Sequence, residues 1–206
     1  MDISMESFHV GGRKVGALVR RLTSTQLRSL LVYRDGQRLQ RTDHLLTHTG
    51  DVRDWTSCSM STPEGSTSAR RTDRTTVDVD GASHAIPRDT IPSSAQSVVL
   101  EQMLAGSHTD EEFHVLDESA PEHAPRSAHL SVGNPETVQL PGRPDQQLGT
   151  VTLFVDESPS HHFWFDSHHV LAADWQGPRS YRVTSHDELL AGLDDEVAAA
   201  VREFIA

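Results

Sequence analysis

Between Ser158 and Trp175 the chain reads SPSHHFWFDSHHVLAADW, placing four histidines, two tryptophans, two phenylalanines and two aspartates in one short stretch. Imidazole and carboxylate are good ligands for zinc or iron, and paired strands could bring His162, Asp166 and His168 together. The pattern argues against that use. There is no His-x-His, no HExxH and no cysteine pair, and neighbouring histidines on a strand point to opposite faces. Histidines at a hairpin end are more often solvated turn residues, and that reading is favoured over a metal site. His162 and Asp166 can move a proton or polarise a carbonyl, and Tyr33 on an earlier strand can join them. Trp164, Trp55 and Trp175 offer large, stiff apolar surfaces to wall a pocket around them. No metal and no cofactor is expected.

On the first strand of this pair, His162, Trp164 and Asp166 share one face, and His161, Phe163 and Phe165 the other. Two phenylalanines suit packing against a helix, so the expectation is that Trp164 and His162 line the concave wall. On the second strand His169, Leu171, Ala173 and Trp175 alternate with Val170, Ala172 and Asp174. His44 and His48 share a face with Leu46, which reads most simply as a strand with two polar positions. His9, His84, His114, His129 and His186 are scattered and carry no pattern.

Other chemistries find little. The fragment PEGSTSA lacks the second glycine and the strand-turn-helix setting of a nucleophile elbow. Cys58, the only cysteine, reads as a small core residue. No phosphate-binding glycine motif is present. Asp78 and Asp80 sit beside a turn, where solvent exposure accounts for them.

Composition narrows the classes further. The 206 residues carry a net charge of −12. Residues 1–103 are close to neutral, whereas residues 104–206 hold 18 acidic against 5 basic residues. An acidic half repels phosphate backbones, so nucleic acid is not an expected partner. Of the 18 basic residues only Lys14 is a lysine, a bias that fits a GC-rich genome better than phosphate recognition. Mean hydropathy is −0.47 and no run approaches the roughly 20 apolar residues of a membrane span. The opening MDISMESFHVGG has no apolar signal core, and a lone cysteine implies no oxidising compartment, so the expected location is cytoplasmic.

The elements that must position these groups are mostly strands. Period-two segments are separated by turn residues at Gly11-Gly12, Asp35-Gly36, Pro63-Glu64 and Asp80-Gly81. The period then changes. Ser93 and Gln96 have capping-box spacing, Val99, Leu100, Met103 and Leu104 form an apolar stripe, and Gly106 ends it, which predicts a helix over about 94–105. Residues 107–127 are acidic and proline-containing and read as loop apart from FHVL. Strands return from about 128. Ser185 and Glu188 repeat the capping-box spacing, and Leu193, Val197, Val201 and Phe204 predict a C-terminal helix near 194–205, with Gly192 as a break before it. The fold class is therefore α+β: a curled antiparallel sheet, half-barrel or barrel, with helices plugging or covering its concave face. The chain reads as one β-shell domain over 1–206, with two loosely related halves at 1–106 and 107–206.

The repeated YRDG, VDG and FWFDS strand-turn units, the helix after IPSSAQ and the strand pair FWFDSHHVLAADW resemble the open β-shells of lipoprotein carriers and, more distantly, lipocalin-like barrels. The resemblance covers most of the chain. It implies a cavity for an apolar ligand. Lipocalin-like shells of bacterial secondary metabolism include cyclases, and carriers are exported whereas this chain shows no signal. The favoured expectation is thus a cofactor-independent cyclase or isomerase acting on an apolar metabolite. The alternatives are a non-catalytic binder of a lipid-like ligand and an acidic partner-binding domain.

Overall fold

A computed structural model describes residues 2–167 and 169–206. The protein is mostly β. The first arm of the sheet runs through β1 (Asp2–Val10), β2 (Arg13–Leu22), β3 (Gln26–Asp35), β4 (Arg38–His48), β5 (Trp55–Thr62), β6 (Gly65–Asp73), β7 (Thr76–Val79) and β8 (Ala82–Ala85). The chain then passes to β9 (Thr90–Pro92) and helix α1 (Gln96–Ala105). The second arm follows as β10 (Asp110–Leu116), β11 (Arg126–Val138), β12 (Gln146–Val155), β13 (Ser158–Asp166), β14 (His169–Asp174) and β15 (Arg179–Arg182). Helices α2 (His186–Leu190) and α3 (Asp195–Ile205) close the chain.

The 15 strands of the described residues belong to one sheet, ordered β8-β7-β6-β5-β4-β3-β2-β1-β15-β14-β13-β12-β11-β10-β9. Each pair is antiparallel except β9 with β10, which is parallel. Laid flat, 15 strands at the usual spacing would put the two edges roughly 65–70 Å apart. The edge strands β8 and β9 are nevertheless joined by residues 86–89 alone. So short a link spans at most about 18 Å. The sheet is therefore curled until its edges nearly meet, and it is the shell expected from the hairpin spacing.

Tight turns make the curl possible. Gly11 and Gly12 (φ +57° and +79°) and the Asp80-Gly81 pair (φ +51° and +83°) adopt the left-handed backbone of two-residue hairpins. Inside the shell lies α1. Its Val99, Leu100, Met103 and Leu104 are buried against Leu27, Leu46, Trp55, Leu116, Leu130, Leu153 and Phe163 of the inner wall. The C-terminal helix departs from the expectation of a concave-face cover. Val197, Ala200, Val201 and Phe204 of α3 pack on Ala17, Val19, Leu30 and Val32, the opposite faces of β2 and β3 from those lining the interior.

The helix ends refine the reading further. Gly106 has an ordinary right-handed φ of −78°, and the left-handed residue that stops α1 is Ser107 (φ +56°), with the His108 amide donating to the Met103 carbonyl. The Ser185 cap does form, its hydroxyl accepting from the Glu188 amide at 3.1 Å. Gly192 (φ +72°) separates α2 from α3. The segment 107–127 holds β10, longer than FHVL alone suggested, because one face of it supplies Phe113 and Val115 to the core.

Candidate functional site

The inner wall around the first turn of α1 forms a half-open cavity of about 300 Å³. Phe8, Leu18, Leu31, Phe163 and Trp175 make its apolar lining, and Arg20, Ser29, His44 and His161 its polar points on the wall. A smaller cleft of about 110 Å³, reaching Glu101 and Arg182, adjoins it and shares Arg20, Ser97, Phe163 and Trp175.

Register explains how the polar points line up. Arg20 on β2 lies directly opposite Ser29 on β3, and Ser29 opposite His44 on β4. Directly opposed residues have their Cβ atoms about 4.5–5.5 Å apart and share a face. One polar row thus crosses three strands of an otherwise apolar wall. At one end Arg20 pairs with Glu6, both nearly buried. Glu6 also accepts from the Ser180 hydroxyl, which in turn accepts from Trp175 Nε1 at 3.1 Å. The indole is held in place by that chain.

At the other end is Glu118, 2% exposed. Its carboxylate accepts from Ser93 Oγ (2.9 Å), the Ser94 amide (2.7 Å) and Ser94 Oγ (3.0 Å). The Ser93-Gln96 capping box accordingly does not form: the Ser93 hydroxyl is spent on Glu118, and no side chain caps α1. His44 Nδ1 lies 3.3 Å from Glu118 Oε1. An imidazole whose Nδ1 faces a carboxylate presents Nε2 on its other side. Burial, with the Glu118 charge adding to it, pushes the Cys58 thiol far up and leaves it inert.

The residues expected from the sequence divide as follows. Trp175 lines the cavity, edge-on to His161 with centroids 4.7 Å apart. Tyr33 packs against Phe8 at 5.1 Å, beside the lining without entering it. Trp55 is 1% exposed in the core, donating Nε1 to the Thr90 carbonyl under the Arg71 guanidinium. Trp164 and His162 turn away from the interior, correcting their expected place on the concave wall. Trp164 packs with Leu140, Leu148 and Ala172 and donates to Glu136 at 2.9 Å. His162 Nδ1 meets Thr152 Oγ1 at 3.1 Å. Asp166 is exposed at the hairpin end, and His168 lies outside the described residues.

The reason is the position of α1. Phe163 does face a helix, but that helix is inside the shell, so the phenylalanine face is the cavity face. A register shift after Trp164 then places Val170, Ala173 and Trp175 inward and Leu171 outward, breaking the alternation expected on β14. Among the described residues no group of three or more His, Cys, Asp or Glu is placed to hold a metal ion, and no helix is long and apolar enough to cross a membrane.

In the sequence His44 reads only as one of two polar positions on a strand; the signal that places it inward is Leu46, which shares its face and is buried. Glu118 carried no signal, because it stands on a loop and only the fold brings it under α1.

No protein-family model and no curated protein matches the chain. Solved structures do. A β-barrel-like protein of domain of unknown function DUF1849 from Brucella abortus superposes with a TM-score of 0.54 at 12% identity, over 88% of this chain and 95% of that one. A DUF1089 family protein from Pseudomonas aeruginosa gives a TM-score of 0.39, also at 12% identity, over 84% and 89%. The first of these likenesses shows the fold, a β-barrel-like shell.

Proposed function

We propose that the protein binds an apolar small molecule inside its shell, between α1 and the inner faces of β1–β4 and β13. The observation that carries this reading is the cavity itself. At about 300 Å³ it is at the small end of ligand sites, and its lining combines apolar walls with a few convergent polar groups. Trp175 supplies contact area at low rotamer cost and is anchored through Ser180.

The test is titration with N-phenyl-1-naphthylamine, an uncharged fluorophore of suitable size that brightens on leaving water. Saturable binding at one site is expected. Trp175→Ala should weaken it about tenfold, or about 1.4 kcal/mol, while Trp164→Ala, on the outer face, leaves the dissociation constant unchanged at a temperature where both stay folded. Unsaturable binding, or equal losses in the two variants, would refute the reading.

The enzymatic version, a cyclase or isomerase without cofactor, needs a proton-moving group on this cavity. His162 and Asp166 face elsewhere, and the role falls to His44.

A further inference from the structure

We propose that His44, with Glu118 beside it, is a general base that shifts a proton along an apolar carbonyl compound bound in the cavity, moving a carbon–carbon double bond into conjugation with the carbonyl. This rests on the cavity being the binding site.

Three observations converge. His44 lines the cavity, and its Nδ1 is 3.3 Å from a carboxylate that is 2% exposed. In the resting structure His44 Nδ1 is buried without a hydrogen-bond partner among the described residues, and the carboxylate 3.3 Å away is placed to pair with the imidazolium that forms when Nε2 takes a proton. Glu118 is itself held by three hydrogen bonds from Ser93 and Ser94, which fix its carboxylate on that side of the ring. Finally, the Arg20–Ser29–His44 row sets donors beside the base. A guanidinium carries five N–H groups, and Glu6 engages one end of it, leaving others to meet a carbonyl oxygen.

The step balances without any co-reactant. His44 Nε2 takes a proton from the carbon between the carbonyl and the isolated double bond. The C–H electron pair forms a new carbon–carbon π bond while the carbonyl π pair moves to oxygen, where Arg20 and Ser29 stabilise the dienolate. The imidazolium opposite Glu118 returns the proton to the far carbon of the old double bond, and the carbonyl re-forms. Substrate and product are isomers, and the imidazole ends as it began. His44 is the catalytic residue in this scheme and Glu118 a positioning residue.

Cyclohex-3-en-1-one is the probe, because its isomerisation to cyclohex-2-en-1-one creates an ultraviolet chromophore. Turnover above the buffer rate is expected, together with displacement of N-phenyl-1-naphthylamine by the ketone. His44→Gln should lower kcat about 10²-fold or more. Glu118→Gln should lower kcat with KM little changed, a split that loss of packing alone would not give. His162→Gln, on the outer face, should leave turnover as it is. Displacement without turnover, or turnover indifferent to His44→Gln in a folded variant, overturns the proposal and leaves the binding reading intact. A ketone that fails to displace the fluorophore at millimolar concentration overturns it too. Failure of the fluorophore itself to bind removes the binding reading and this proposal with it.

Discussion

His161 sits in the cavity wall with its ring against Trp175 and Phe163. Burial lowers its pKa, and the nearby Asp174 charge only partly opposes this. A histidine whose folded pKa lies below its unfolded value, near 6.5, leaves the fold at full stability above that value and weakens it as pH falls toward the folded pKa. Urea midpoints should therefore drop between pH 7.5 and 5, and His161→Phe should flatten part of that drop. An identical slope in the variant would mean that other groups set the acid sensitivity. The same strand shows what side-chain alternation can and cannot reveal. Alternation separated His162 and Trp164 correctly from His161 and Phe163, since period two is a property of the backbone. Which set faces the interior depends on where α1 lies, and no residue of β13 encodes that. Trp175 reads from the sequence, with Trp164 and Trp55, as a pocket wall, but on the face of Leu171, from which the register shift separates it; Glu118 was not legible, because its surroundings come from Ser93, Ser94 and His44, remote in sequence.

At the scale of elements, α1 is the part on which the cavity depends. Leu100 is fully buried at 0% exposure, and removing most of its side chain should cost about 2–5 kcal/mol. Because the helix forms one side of the pocket, Leu100→Ala should also loosen N-phenyl-1-naphthylamine binding, read at a temperature where the variant remains folded. A variant that loses stability but keeps wild-type affinity would show that the helix position is set by the Glu118 hydrogen bonds alone. The helix was legible to within a turn from its apolar stripe. Its start was misread because Ser93 has the spacing of a cap but spends its hydroxyl on a carboxylate 25 residues away. The hairpins were legible for a stronger reason: Gly11, Gly12 and Gly81 take a backbone conformation that most residues avoid.

For the whole molecule, turn chemistry and periodicity predicted a curled antiparallel sheet, but the strand order is not local information. Nothing in residues 2–10 marks β1 as the partner of a strand at 179–182, yet that pairing joins the two arms. The arrangement has a cost during synthesis. Once β8 has been made at residue 85, another 93 residues must be translated before β15 begins at Arg179. At about 5–20 residues per second that is a wait of roughly 5–20 s. Throughout it one edge of β1 has unpaired amides and carbonyls, a template for any other nascent strand. Ribosome-arrested chains ending near residue 125 should crosslink to chaperones through β1, and released full-length chains should not; equal crosslinking of both would show that the edge is shielded some other way. The join at the middle of the sheet thus leaves the earliest strand with one bare edge until the last strand leaves the ribosome.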